Sequence, residues 1–257
     1  MSQNNTQLKI GILIPTTSNK RDWKTPEETY LYNMTFKTFG KTYSPEYKYV
    51  FYIGIDRRDK VFDKESTQGF FKNLVNTDEF NNCEIKFIYM DGIQKGYLSK
   101  MWNKLFKIAY EEGCEYFFQC GDDMAFKTTG WVKECVDTLQ KHKNIGVTGP
   151  INNKLLLLTQ TFVHRTHMEI FGFYFPEDII NWYIDDWINM VYKTMFYYSL
   201  KQHYCKNCGG EERYDIKNQL SDNDTIRYNS YTYENKVRFI VKRERKRLIK
   251  CLKGIKL

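Results

Sequence analysis

Two adjacent aspartates, Asp122 and Asp123, follow an apolar run in the stretch YFFQCGDDMAF. Two carboxylates at the end of a core strand repel each other and are costly there, unless a positive group lies close to both. A bound divalent cation is the first candidate for that group, because carboxylate oxygens are the ligands that such ions prefer. The dipeptide therefore predicts a metal-dependent reaction at this point of the chain.

Other polar side chains follow apolar runs in the same way. Thr16 begins the turn TTSN after the first run, and Asp56 ends the second. Each alone could be turn or cap chemistry. The carboxyl ends of parallel strands meet at one rim, however, and ligands of such sheets bind there. A second acidic pair, Asp185 and Asp186, opens an amphipathic stretch, where the helix dipole also favours acids, so that capping and catalysis both stay open.

The elements that must position these residues alternate between strand and helix. Apolar runs predict strands at 9–15, 49–56, 85–90, 115–120, 145–149 and 155–165. Helical spacing predicts helices at 26–39, 66–75, 97–112, 131–142 and from 187 onwards. The alternation indicates an α/β fold with a mostly parallel sheet and helices on both faces. We expect one domain at 1–200 and an extension at 201–257 that packs on this core.

The composition suits a folded protein without an export signal. The 257 residues are 42% hydrophobic, and the first ten, MSQNNTQLKI, are polar. No apolar run approaches the roughly 20 residues of a membrane helix. Seven cysteines in such a chain favour free thiols, and we expect a cytoplasmic protein. Cys205 and Cys208 have zinc-knuckle spacing, but no second pair follows them at a suitable distance.

The net charge of +8 is concentrated in the C-terminal segment 236–257, which has helical apolar spacing at Val237, Ile240, Leu248 and Leu252. A basic helix packed on the domain is the simplest prediction. Peripheral contact of this helix with an anionic membrane is the functional rival. No nucleic-acid-binding motif accompanies the charge, so nucleic acid is not an expected partner.

Four segments, ILIPTTSNK, YIGID, GYLSKMWNKLFKIAYEEGCEYFFQCGDD and YFPEDIINWYIDDWI, together resemble glycosyltransferases of the GT-A fold. The similarity is greatest to the small enzymes of giant DNA viruses and covers roughly residues 9–192. It implies a Rossmann-like fold that transfers a sugar from a UDP- or GDP-sugar to a hydroxyl of a glycan or other acceptor. It also implies Mn²⁺ or Mg²⁺ as cofactor and, for a viral protein, the host cytoplasm as location.

Carried onto this sequence, the metal-binding DxD motif of the family falls on 121–123, with Gly121 in place of its first acid. The resemblance then makes Asp123 the cation ligand and puts Asp122 beside the ribose or the metal. Some members add a C-terminal histidine to the metal, and His203 follows the second acidic pair. The nucleotide-sugar contacts implied by the resemblance are Thr16, Asp56, Lys100, Asn103 and Asp122.

The second acidic pair falls where inverting members of the family place their catalytic acids. An acceptor hydroxyl is a poor nucleophile, and a carboxylate that takes its proton accelerates the reaction by about 10²–10⁴. We therefore expect Asp186 to be the base and Asp185 to orient it or to bind the acceptor. Aromatic side chains around the pair could stack on a sugar or pack in the core: Trp182, Tyr183 and Trp187. His164 and His167 are packed residues or acceptor contacts.

Three other functions deserve comparison with this one. Gly-Asp-Asp is also the metal hairpin of RNA-dependent polymerases, but the 120 residues before it alternate strand and helix and lack a Gly-rich primer segment. A non-catalytic domain of the same fold could hold a nucleotide or glycan, although the set of acids is intact. A sugar nucleotidyltransferase normally has a Gly-rich basic loop after its first strand, and IPTTSNKRDW contains no glycine.

Overall fold

A computed structural model describes residues 7–153, 157–214 and 230–254. The described part contains an eight-stranded sheet with the order β3-β2-β1-β4-β7-β6-β8-β5. The strands are β1 Lys9–Pro15, β2 Lys48–Ile55, β3 Cys83–Tyr89, β4 Tyr116–Gln119, β5 Met124–Phe126, β6 Val147–Ile151, β7 Thr161–His164 and β8 Tyr197–Asn207.

One half of the sheet is parallel. β1 pairs in parallel with β2 and β4, and β2 pairs in parallel with β3. The other half is mixed, because β7 runs antiparallel to β4 and β6, while β8 runs parallel to β6 and antiparallel to β5. The parallel half brings the carboxyl ends of β1, β2 and β4 to one rim, where polar residues follow each strand.

Helices cover both faces of the sheet, as predicted. They are α1 Lys37–Phe39, α2 Glu65–Leu74, α3 Leu98–Glu111, α4 Trp131–Lys141, α5 Thr166–Phe171, α6 Ile184–Tyr192 and α7 Ser230–Gly254. Side chains of β2 alternate between two apolar clusters, with Phe51 and Ile53 in one cluster and Val50 and Tyr52 in the other. A strand buried on both faces has to be apolar throughout, which is why its sequence reads as a continuous run.

Some elements differ from the predicted ones. The predicted helix at 26–39 is a 3₁₀ turn at Pro26–Glu28, a π-helical stretch at Leu31–Phe36 and then α1. The predicted strand at 155–165 is the shorter β7, and residues 154–156 lie outside the described part. The predicted domain boundary at 200 falls inside β8, so the first residues of the extension complete the sheet.

The basic helix α7 packs its apolar face against α5 and α6. Val237, Ile240 and Leu248 are buried there. Arg245 donates hydrogen bonds to the carbonyls of Met190 and Lys193, at and just beyond the C-terminal end of α6, where carbonyls lack helical partners. None of the helices in the described ranges has both the length and the apolar character to cross a membrane.

Candidate functional site

Asp122 lies at the rim of the parallel half, directly beyond β4, and its side chain is fully buried. Thr16, which follows β1, donates its hydroxyl to Asp122 Oδ2 at 2.5 Å. Arg213 donates from Nη1 to Oδ2 at 2.5 Å and from Nη2 to Oδ1. This fork-to-carboxylate geometry is a strong and directional form of ion pair. In this structure, therefore, the positive group beside Asp122 is a guanidinium.

A neighbouring aspartate, Asp59, fixes the turn after β1. Its carboxylate accepts from the Thr17 hydroxyl at 2.9 Å and from the Ser18 hydroxyl at 2.6 Å and amide at 2.7 Å. The amides of Val61 and Phe62 donate to it as well. Burial favours the neutral acid, but these hydrogen bonds outweigh it and lower the pKa of Asp59. The anion thus holds the Thr17–Ser18 turn at the rim.

Asp56, at the end of β2, is also buried at this rim. The Tyr214 hydroxyl donates a hydrogen bond to its Oδ2. Burial and this contact with Asp56 raise the pKa of Tyr214, so the phenol keeps its proton and remains the donor. Thr16, Asp56 and Asp122, which were predicted as nucleotide contacts, therefore come together, and the segment after β8 covers the two acids.

Asp123 lies in a cradle made by two glycines. A Cβ on Gly121 would approach its Oδ1 to 2.5 Å, and a Cβ on Gly209 would approach its Oδ2 to 2.0 Å. Real side chains do not tolerate such distances, so a larger residue at either position would force the Asp123 carboxylate to move. Burial and the Asp122 carboxylate raise the pKa of Asp123 to about 6, although the positive charge of Arg213 opposes the shift.

A divalent cation fits the Asp123 carboxylate in one specific way. Within the described ranges no cluster of three or more His, Cys, Asp or Glu residues could enclose a metal ion. Ions such as Mg²⁺ commonly take one or two carboxylates and complete their shell with substrate phosphates and water. Asp123 suits this mode of binding, because its carboxylate lies at the wall of an open cavity. A bound cation would favour the charged form and so lower the raised pKa of Asp123.

Two cavities share a wall at this point. The smaller, about 290 Å³, is bounded by Thr16, Thr17, Arg213 and Tyr214. The larger, about 850 Å³, extends to the second acidic pair. Both volumes are close to the range of roughly 300–1,000 Å³ typical of small-molecule sites. The residues that border both cavities are Asp123, Asn181, Trp182, Asn207, Gly210 and Glu212.

The second acidic pair, Asp185 and Asp186, lies in the first turn of α6 and borders the larger cavity. Asp185 Oδ1 accepts the backbone N–H of Asp186 at 3.2 Å, which orients its carboxylate along the helix start. Trp182 is 42% exposed and presents a ring to both cavities. Trp187 is fully buried among aromatic rings, so its role is packing.

The structure does not bring three other predicted site residues to these cavities. Asn103 accepts the backbone N–H groups of Tyr174 and Phe175, so its side chain positions a loop. Lys100 lies 3.9 Å from Glu177. None of the three, Lys100, Asn103 and His203, is among the described residues that line either cavity.

The histidines hold structural positions. His203 contacts Glu134 at 2.8 Å through Nε2 and Thr128 at 3.2 Å through Nδ1, so both ring nitrogens are engaged beside α4. His167 is buried and contacts Tyr192 and the Tyr174 carbonyl, and burial lowers its pKa to about 4. Burial also lowers the pKa of His164 to about 4. Cys205 is buried on β8 and Cys208 is partly buried beyond it, and both are free thiols.

Sequence reasoning missed three residues of this rim: Asp59, Arg213 and Tyr214. Asp59 had a weak signal, since it lies three positions after Asp56 and just beyond a strand end. Arg213 and Tyr214 had none, because they lie 91 and 158 residues from the acids that they contact. Only the return of the chain along β8 brings them to the rim.

No protein-family model and no curated protein matches the chain. Solved structures do match. The crystal structure of S. aureus TarS 1-349 in complex with UDP-GlcNAc has a TM-score of 0.56 at 14% identity, over 92% of this chain and 66% of that one. TarS 1-349 in complex with UDP has a TM-score of 0.50 at 13% identity, over 77% and 60%. A further TarS structure has a TM-score of 0.51 at 13% identity, over 77% and 36%.

This chain thus spans between 36% and 66% of the TarS chains that it matches. TarS is a glycosyltransferase, and identities of this size speak for the fold alone. The mixed sheet with helices on both faces is consistent with a Rossmann-like fold. The likeness to the TarS structures therefore supports the predicted GT-A-like fold for this protein.

Proposed function

We propose that this protein is a metal-dependent, inverting glycosyltransferase that moves a sugar from a nucleotide-sugar to a hydroxyl of a glycan or other acceptor. The observation that carries the proposal is the position of Asp123 on the wall shared by the two cavities, the larger of which is bounded by Asp185 and Asp186. The TarS structures of the same fold hold UDP and UDP-GlcNAc, which supports a nucleotide-sugar donor.

The two cavities suggest separate binding sites for the donor nucleotide and for the acceptor. The smaller one, beside Thr16 and Thr17, would take the nucleotide, and its diphosphate would reach Asp123. A divalent cation held by Asp123 would neutralise the charge that develops on the leaving diphosphate. The exposed ring of Trp182 offers a flat apolar face for the sugar between the two cavities.

The larger cavity would take the acceptor. Asp186 would accept the proton of the acceptor hydroxyl as its oxygen attacks the anomeric carbon, and Asp185 would help to position it. Attack from the side opposite the leaving nucleotide, in one step, inverts the configuration at that carbon. Asp122 would support the rim as a buried anion and become a second cation ligand where Arg213 leaves it.

The proposal is tested by nucleotide release. The protein is incubated with Mn²⁺ and a panel of UDP-, GDP- and dTDP-sugars, with and without EDTA, and released nucleotide is measured. We expect turnover with at least one donor, and we expect EDTA to abolish it. Asp137→Asn should keep this turnover and is the matched control for substitutions of Asp123, since Asp137 is exposed and pairs with Lys133 on α4.

The alternatives give different results in the same assay. A non-catalytic nucleotide- or glycan-binding domain would bind a nucleotide-sugar by calorimetry without releasing nucleotide. A sugar nucleotidyltransferase would consume a nucleoside triphosphate and a sugar phosphate and release pyrophosphate. Either outcome would overturn the proposed transfer reaction. We include in this proposal the predicted similarity to the small glycosyltransferases of giant DNA viruses.

We also propose that the outer face of α7 makes a peripheral contact with anionic membranes. Lys242, Lys246, Lys250 and Lys253 recur along this face, and no described residue forms an ion pair with them. Phe239 is 68% exposed and Ile249 is 49% exposed on the same side of the helix. A row of unpaired ammonium groups beside exposed apolar residues is complementary to lipid phosphates and the acyl boundary.

Sedimentation with liposomes tests this contact. Each Lys near an anionic surface contributes about 1 kcal/mol, so replacing the four lysines with Glu should abolish binding to phosphatidylserine vesicles at low salt. Added salt should weaken wild-type binding, and neutral vesicles should bind little. The control replaces four exposed lysines outside α7: Lys41, Lys64, Lys72 and Lys141. Equal loss in the control, or no wild-type binding at low salt, would contradict a specific role for α7.

A further inference from the structure

A short segment after β8 covers the acids of the rim. We call residues Cys208–Tyr214 the strap. Its first amide, Cys208 N–H, donates to the Asp123 carbonyl at 3.0 Å, and Gly209 lies against the Asp123 carboxylate. Its last two side chains reach Asp122 and Asp56. One run of seven residues therefore contacts all three acids that the sequence predicts to bind the nucleotide or the cation.

The chemistry of these contacts matches that of a nucleotide and its cation. Arg213 places a delocalised positive charge against both oxygens of Asp122, as a metal ion would. Tyr214 places an aromatic ring and a hydrogen-bond donor against Asp56, as a nucleobase would. Both acids are buried, so a ligand cannot reach either one while the two strap side chains remain in place.

We propose that the strap is an internal occupant of the nucleotide site, and that the cation and the nucleotide-sugar bind by displacing it together. This inference rests on the proposed function and describes how the same site is regulated. With the strap in place, the smaller cavity measures about 290 Å³ and the strap residues Gly210 to Tyr214 form one side of it. Moving the strap aside enlarges the cavity and frees Asp122 and Asp56.

The charge balance explains why both ligands are needed. Removing Arg213 from fully buried Asp122 leaves an uncompensated charge, which is strongly unfavourable unless another cation takes its place. A divalent ion supplies that charge, and the diphosphate binds the ion in turn. The nucleotide alone would leave Asp122 unpaired, so the two ligands should bind with positive cooperativity.

The strap is also held by contacts that do not involve these acids. Arg21 donates from Nη2 to the Glu211 carbonyl at 2.6 Å, and Asn19 donates to the Arg213 carbonyl. Arg213 donates from Nη1 to the Thr17 carbonyl at 3.1 Å. These hydrogen bonds join the strap to the turn after β1. They define one closed position, from which the Gly209–Gly210 pair allows movement, since glycine has the widest backbone freedom.

Nucleotide affinity and hydrogen exchange together test the inference. Binding of UDP and GDP with Mn²⁺ is measured by calorimetry for the wild type, Arg213→Ala and Tyr214→Phe. We expect Arg213→Ala to bind the nucleotide roughly tenfold more tightly or better, because a hydrogen-bonded ion pair no longer competes. Tyr214→Phe keeps the ring and loses only the hydroxyl, so its gain should be several-fold. The matched control is Arg238→Ala, whose guanidinium pairs with Glu234 on α7.

Hydrogen exchange over the strap gives a readout that does not depend on turnover. Arg213→Ala without ligand should exchange faster than the wild type across 208–214, and Mn²⁺ with nucleotide should speed exchange in the wild type. Unchanged or weaker nucleotide binding by both variants would overturn the inference and leave the proposed function standing. So would slower strap exchange in the liganded wild type, since the strap would then fold onto the ligand. No nucleotide binding by any of the proteins would overturn both proposals.

Discussion

The protein contains two Asp-Asp pairs, and their surroundings are opposite. Asp122–Asp123 follows a core strand, where Asp122 is fully buried and has a guanidinium and a hydroxyl bound to it. Asp185–Asp186 opens α6, where the helix dipole stabilises acids in the first turn. The first pair therefore depends on a positive group for its burial, whereas the second lies where the helix itself favours negative charge.

The two pairs have the same sequence, Asp-Asp, but their different surroundings suit them to different chemical roles. A carboxylate whose surroundings demand a countercharge suits a site that must attract and hold a cation. A carboxylate at a helix start beside an open cavity is free to accept and release a proton as a substrate comes and goes. The two pairs border the same larger cavity, the first through Asp123 and the second through Asp185 and Asp186.

The largest expected effect comes from removing the carboxylate at the shared cavity wall. Asp123→Ala should lower transfer by about 10³ or more, because cation stabilisation of the leaving group is worth several kcal/mol. The fold should survive, since the substitution also removes the repulsion between Asp123 and buried Asp122. Calorimetry of Mn²⁺ with nucleotide measures the loss of affinity directly. Wild-type affinity in this variant would show that Asp123 is not a ligand of the cation.

Substitutions in the second pair should lower the rate of sugar transfer and leave the nucleotide affinity unchanged. Asp186→Asn keeps the shape of the side chain and removes the base, so we expect about 10²-fold slower transfer with nucleotide affinity unchanged. Asp185→Asn should have a smaller effect, since its oxygen still accepts the N–H of Asp186. A crippled Asp185→Asn beside a nearly normal Asp186→Asn would reverse the two roles. NMR of the product linkage checks the stereochemistry, and retention of the anomeric configuration would contradict direct displacement.

β1, β2 and β4 were predictable because they are buried on both faces. The first four strands lie within two residues of their predicted bounds, since apolar runs of this length are stable as strands of a covered sheet. β8 was not predicted, because YYSLKQHYCKN mixes polar and apolar residues and depends on β6 and β5 for its pairing. Tertiary context determines such a strand more than its own sequence does.

The site was predictable in part for the same reason. Residues at strand ends, such as Asp56 and Asp122, were found because the topology carries them to a common rim. Gly121 shows what sequence could not explain. It replaces the first acid of the DxD pattern, and in the structure a Cβ there would displace the Asp123 carboxylate from its present position. Arg213 reaches Asp122 from 91 residues away, and no local pattern records such a contact.

A smaller effect should appear in the dependence of cation binding on pH. The pKa of Asp123 is raised from 3.8 to about 6 in the folded protein, so the folded state holds this proton more tightly than the unfolded chain does. Without cation, that contribution to stability is present below pH 4 and is lost as the pH rises to about 6. A cation competes with the proton, so Mn²⁺ affinity should rise about tenfold per pH unit up to about 6 and then level off. Calorimetry between pH 5 and 8 measures this, and a flat profile would contradict ligation by Asp123.

The smallest expected effect concerns stability, and it separates the two pairs without any substrate. Thr16→Val keeps the β-branched shape and removes the hydroxyl that Asp122 accepts at 2.5 Å, while Arg213 still holds the carboxylate. A hydrogen bond to a buried charge contributes about 1.5–3 kcal/mol, so urea unfolding should show a loss of that size with an unchanged m-value. Asp186→Asn in the second pair should lower the free energy of unfolding by only about 0.3–1 kcal/mol, because it loses only the interaction of a first-turn charge with the helix dipole. If both variants lost the same stability, the two pairs would not differ in their need for a partner, and the contrast between a cation-holding pair and a proton-accepting pair would lose its physical basis.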